Sequence, residues 1–116
     1  MVAPKPGKPV RGSRTGRPIM ALLDLLGRRW ALRIIWELRE EPFGFRALQA
    51  LCDGMSPSVL SQRLLELQEA GIVQQDGQGS YGLSPEGREL FSALAPLHDW
   101  AQRWAARTEA EAHPPT

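Results

Sequence analysis

Apolar residues recur at helical spacing along most of this chain and alternate in one short segment. Pro18, a residue suited to the first turn of a helix, precedes Ile19, Met20, Leu22, Leu23, Leu25 and Leu26. That run predicts a short helix apolar on most sides, and hence one that is buried or used in association. Gly27 should end or bend it. From Arg28 a second, amphipathic helix is expected, with Trp30, Ile34 and Leu38 along one row, Ala31, Leu32 and Ile35 beside it, and Arg29, Arg33, Glu37 and Glu40 outside. Pro42 and Gly44 break the pattern, and Phe45, Leu48, Leu51 and Cys52 predict a third helix of about two turns ending near Asp53–Gly54.

Ser56–Pro57 predicts the start of a fourth helix, because Ser caps open backbone N–H groups and Pro at the first helical position loses no bond. Leu60, Leu64 and Leu67 form its buried row, and Gly71 stands where a left-handed C-terminal residue is wanted. Ile72–Val73, the tight-turn pair Asp76–Gly77 and the alternating Ser80–Leu83 predict a hairpin whose loop projects into water. Ser84–Pro85 repeats the start signal for one long last helix, kinked at Pro96, with Leu90, Leu94, Leu97, Ala101 and Trp104 as a stripe and Phe91 and Trp100 beside it. The fold class is therefore mainly α with one small β-hairpin.

Length and charge bound the domain plan. At 116 residues the chain holds one core. Residues 1–17 carry Lys5, Lys8, Arg11, Arg14 and Arg17 with no acid and are rich in Pro and Gly, so they read as a disordered basic tail. The remainder has nine bases against thirteen acids, a net −4. Residues 18–107 form the folded domain, and 108–116 read as a loose C-terminus. The stretch Ile19–Leu26 is broken by Asp24 and followed by Gly27–Arg28–Arg29, which argues against a signal peptide, and no apolar run is long enough for a membrane span. A cytoplasmic, reducing setting fits the single Cys.

Two short helices joined by Cys52–Asp53–Gly54–Met55, then a Gly-ended helix running into a hairpin, follow the order of a winged helix-turn-helix. At the residue level the chain resembles the HxlR-type winged helix-turn-helix transcriptional regulators, which are related to the MarR type. The clearest piece is Gly54-Met55-Ser56-Pro57-Ser58-Val59-Leu60-Ser61-Gln62-Arg63-Leu64-Leu65-Glu66-Leu67, similar to the block G-I-S-x-x-x-L-T-x-R-L-K-E-L. Ala21 to Trp30 is similar to A-L-x-L-I-G-G-K-W, and Tyr81-Gly82-Leu83-Ser84 with Gly87 to Y-x-L-T-x-x-G. The chain departs from the family in having Arg17 before Pro18, where members commonly carry a Cys that some use as a sensor. It also holds Gly44 and Ala47 in place of the Arg and Glu of R-F-x-E-L, and its wing has no Lys or Arg.

The resemblance implies a DNA-binding regulator, more often a repressor, whose fourth helix enters the major groove. A 100° step places Ser58, Gln62, Leu65 and Glu69 opposite the Leu row, with Ser61 and Arg63 on the flanks. Ser58, Ser61, Gln62 and Arg63 are the expected base readers, Gln suiting adenine and Arg guanine. Phosphates would be held by Arg28, Arg29, Arg46, backbone donors at Ser56, and a wing bearing Gln75, Gln78 and Ser80. For Arg28, Arg29 and Arg33 the alternative is solvation or pairing with acids such as Glu37. Leu22, Leu23, Leu26, Leu94, Leu97, Trp100 and Trp104 are the expected homodimer face, since in the resembled family the terminal helices build the dimer.

Double-stranded DNA and a second copy are thus the expected partners, with a small-molecule effector conceivable between Trp30, Trp100 and the terminal helices. A winged helix that binds protein instead remains the rival, favoured by the −4 charge outside the tail. Catalysis has no support, because His98 and Asp99 are adjacent on a helix and do not face each other. No metal or cofactor is expected. Trp30 and Trp36 read as core, and Cys52 as a small buried hydrophobe before it reads as a thiol sensor.

Overall fold

A computed structural model describes residues 16–112 together with Pro6. The basic segment 1–17 lies outside the described residues except for Pro6, Gly16 and Arg17, as do residues 113–116. The chain runs α1 (Pro18–Leu26), α2 (Ala31–Glu37), α3 (Phe45–Leu51), α4 (Pro57–Glu69), β1 (Val73–Gln75), β2 (Tyr81–Leu83), α5 (Pro85–Leu94) and α6 (Pro96–Ala112).

The helical core closes on the rows the pattern predicted. Ile34, Ile35 and Leu38 of the α2 segment meet Leu48 and Cys52 of the α3 segment and Leu60, Leu64 and Leu67 of α4, all essentially without solvent contact. At about 1.5–3 kcal/mol for each large aliphatic side chain fully buried, this cluster is the main favourable contribution to folding.

Helix α2 starts three residues later than expected. Trp30 takes the left-handed conformation, φ 76°, so Arg28–Trp30 form a turn instead of the first helical turn. A non-glycine residue is held there only when its surroundings over-determine it. Here the Trp30 side chain packs against the core, while its carbonyl accepts from the Ile34 amide at 3.0 Å. The turn between α3 and α4 uses two left-handed residues in succession, Asp53 at φ 59° and Gly54 at 68°.

Gly71, φ 80°, ends α4 as its sequence position predicted. The Gly71 amide donates to the Gln68 carbonyl and the Ile72 amide to the Leu67 carbonyl at 2.9 Å, the pair of bonds that reverses the chain. The strands pair antiparallel in the register Val73↔Leu83, Gln74↔Gly82 and Gln75↔Tyr81. The hairpin loop is therefore residues 76–80, and not a two-residue turn at Asp76–Gly77. Phe43 adds a third, single-bridge strand by exchanging two backbone hydrogen bonds with Tyr81, a pairing that no alternation in the sequence announces.

Ser84 caps α5 with its hydroxyl, which accepts from the Gly87 amide at 3.0 Å and donates to the Gly71 and Ile72 carbonyls. That one side chain ties the wing to both flanking helices. The predicted kink at Pro96 is a full break at Ala95, and α6 continues to Ala112, beyond Thr108 where a loose terminus was expected. The helical phase simply persists, because Thr108 to Ala112 contains no Pro or Gly. Among the described residues no helix is long and apolar enough to cross a membrane.

Candidate nucleic-acid interface

Helix α4 presents one side to the core and the other to water. Ser56, Ser58, Ser61, Leu65 and Glu69 are exposed, and Gln62 and Arg63 are half-buried. Ser56 does not cap the helix with its side chain as expected: its Oγ lies 3.0 Å from Ser58 Oγ. Pro57 lacks an N–H, so the first turn has one open donor fewer to satisfy.

The feature that the leucine row does not announce is Glu66, a carboxylate that is buried with 1% of its surface exposed. Its carboxylate accepts from Arg28 Nη1 at 2.7 Å, Arg63 Nη1 at 3.0 Å and Gln62 Nε2 at 3.2 Å. Arg28 also pairs with Asp24 of α1 at 3.1 Å, and Arg63 Nε donates to the Arg29 carbonyl at 2.7 Å. Two guanidiniums and two carboxylates thus neutralise one another where α4 meets the α1–α2 corner. A buried carboxylate persists only when its lone pairs are met this fully. An Arg in the α1–α2 turn and a Glu on the flank of α4 were the only sequence signals.

The expected phosphate contacts divide accordingly. Arg28 is turned inward, its side chain 14% exposed, and is spent on the fold. Arg33 pairs with Glu37 at 2.7 Å and Asp53 at 3.1 Å, and its hydrogen bond to Glu37 raises its pKa further. Arg29, over the Trp30 ring, and Arg46 are both exposed. In the wing, Asp76 Oδ1 accepts from the amides of Gln78, at 2.8 Å, and Ser80, at 3.0 Å. Those amides are therefore engaged and do not open toward a phosphate, a loop closure that the Asp76–Gly77 pair only hinted at. Gln75 and Gln78 are exposed and Ser80 is half-buried.

The expected association face is apolar and open. Leu23 of α1 and Leu97, Trp100 and Trp104 of α6 are exposed, while Leu22, Leu26 and Leu94 are half-buried. Trp100 and Trp104 stack at 5.6 Å. A cavity of about 360 Å³ opens beside this face, lined by Leu32, Arg33, Ile35, Trp36, Phe91, Leu94, Leu97 and His98. Its lining includes neither Trp30 nor Trp100, the pair expected to flank an effector, but Trp36, which stacks on His98 at 5.4 Å under the Arg39 guanidinium. Cys52 is fully buried, and burial pushes its thiol pKa up.

A helix pair at a tight turn, a second helix with an exposed polar side, and a hairpin directly after it define a winged helix-turn-helix, a DNA-binding architecture. The chain belongs to the HxlR-like helix-turn-helix family of transcriptional regulators, whose model matches residues 25–109. It is 31% identical over 88 residues to the uncharacterised HTH-type transcriptional regulator YvaP of Bacillus subtilis, covering 71% of this chain and 82% of YvaP. Among solved structures it is similar to quinone-bound YodB from B. subtilis, with TM-score 0.67, 28% identity and 73% and 94% of the two chains covered. A MarR-family transcriptional regulator from Enterococcus faecalis gives TM-score 0.68 at 28% identity, over 78% and 88%.

Proposed function

We propose that this chain is a sequence-specific transcriptional repressor that binds a palindromic operator as a homodimer. The observation that carries the reading is the exposed face of α4, with Ser58 and Ser61 beside Gln62, held by a winged fold that leaves this face uncovered. In that arrangement α4 enters the major groove and the 76–80 loop lies against the neighbouring backbone. Arg29 and Arg46, supported by the basic tail, take the phosphate contacts, since Arg28 is committed to Glu66.

Dimerisation through α1 and α6 places two α4 helices on half-sites roughly one helical turn, or a small multiple of it, apart. A second copy covers Leu23, Leu97, Trp100 and Trp104, which a lone chain leaves in water. An effector of apolar, flat shape fits the cavity beside Trp36 and Phe91. A thiol sensor is not part of this reading, because Cys52 is buried and its thiolate disfavoured.

The test is recovery of sheared genomic DNA by the full-length protein at about physiological salt, followed by sequencing. A few fragments sharing an inverted repeat are expected. Uniform recovery that vanishes with modest added salt would overturn the reading and favour a protein-binding winged helix.

A further inference from the structure

We infer that base choice by α4 rests on Leu65, through an apolar contact with thymine methyl groups, while Arg63 is a positioning residue that reads no guanine. The inference rests on the DNA-binding reading above and specifies its chemistry. Bidentate recognition of guanine needs two guanidinium donors aimed into the groove. Arg63 gives Nη1 to buried Glu66 at 3.0 Å and Nε to the Arg29 carbonyl at 2.7 Å, and only 21% of its side chain is exposed. Freeing it would strip a partner from a carboxylate that water barely reaches.

Leu65 lies about 160° around the helix from Arg63. At 100° per residue it falls within about 20° of Ser58 and about 40° of Ser61 around the helix, in the middle of the exposed face. It is 49% exposed, with no place in the core. Leu65 carries no charge to hold a phosphate and offers two methyl groups at that point of the face. In the major groove only thymine offers an apolar partner, its C5-methyl group. Ser61, one turn earlier, and Ser58, two turns earlier, supply hydroxyls for neighbouring base edges without demanding one base.

The test is selection from random double-stranded DNA with full-length wild type, Leu65→Ala and Arg63→Gln. The selected site is then resynthesised with deoxyuridine for thymidine, which deletes only the methyl group. Wild type should select a thymine in each half-site and lose about fourfold in affinity for each methyl removed, the worth of one buried carbon. Leu65→Ala should show no preference there and bind thymine and uracil DNA alike, while Arg63→Gln should weaken every sequence equally and keep the same consensus. An unchanged Leu65→Ala consensus, an equal uracil penalty for both proteins, or a guanine preference lost in Arg63→Gln overturns the inference and leaves the regulator reading intact. Failure of wild type to enrich any sequence overturns both. The uracil arm needs no variant, so a folding defect in either substitution cannot mask the answer.

Discussion

Helices α4 and α6 are both amphipathic, thirteen and seventeen residues long, and they come to opposite ends. α4 buries Leu60, Leu64, Leu67 and even a carboxylate, Glu66. α6 buries none of its described residues and leaves Leu97, Trp100 and Trp104 in water. The difference lies in what each helix is packed against. α4 packs its leucines against the α2 and α3 segments and runs into the wing, whereas the described residues of α6 are exposed, with Leu97 and His98 beside Trp36. One helix is thus stabilised by its own chain, and the other has an apolar stripe that one chain does not cover.

The sharpest break in that contrast is Glu66→Ala. Removing the carboxylate leaves Arg28 and Arg63 with lost partners in a half-buried corner, and breaking such a pair typically costs about 3–5 kcal/mol. Both arginines retain some solvent, 14% and 21%, so a loss near 3 kcal/mol is expected, read as the shift of the urea midpoint. A loss below about 1 kcal/mol would show the corner to be an ordinary surface ion pair.

Gly87→Ala should come next. A Cβ there would stand 2.1 Å from the Ile72 carbonyl oxygen and 3.0 Å from its carbonyl carbon, backbone atoms that cannot swing aside as the end of a flexible side chain would. Overpacking of this kind costs about 1–3 kcal/mol, and the upper end is expected from thermal unfolding. Ser84→Ala should follow at about 1–2 kcal/mol, because one hydroxyl caps α5 and also serves the end of α4.

These two regions also differ in how far the sequence revealed them. The Leu60, Leu64 and Leu67 row, the Gly71 stop and the Ser84 start were legible because each depends on local spacing or one residue's backbone freedom. The α4 reading face was legible for the same reason, since a fixed step per residue puts Ser58 and Leu65 opposite the leucines. The Arg28–Glu66 pair was not, because it joins positions 38 apart and its burial is decided by tertiary packing. Nor was Trp30 as a left-handed residue, a conformation imposed by neighbours against its own preference. The same blindness made Arg28 and Arg63 look available to DNA.

Cys52 gives a smaller effect, with a definite sign. Burial raises the folded thiol's pKa above its unfolded value of about 8.5, so the unfolded chain loses its proton first as pH rises. The unfolded state then binds fewer protons, and stability falls with increasing pH above about 8.5. Urea titrations at pH 7 and pH 10 should show a decline that is reduced in Cys52→Ala. A neutral alkylating reagent should meanwhile modify native Cys52 only at the rate of opening.

Trp100→Ser with Trp104→Ser should have the least effect on the folded chain and the most informative one on assembly. Both side chains are about half exposed and stack on each other, so the monomer loses little by their removal, within about 0.5 kcal/mol at high dilution. If a second copy covers them, association lowers the free energy of the native state by mass action, and the wild-type midpoint must rise with protein concentration. The double variant should sediment as a monomer with a concentration-independent midpoint, and its operator affinity should fall because only one α4 can engage. A wild-type midpoint that does not move over a hundredfold range of concentration would remove the dimer from the reading. The contrast between α4 and α6 would then mark a helix exposed for some other partner.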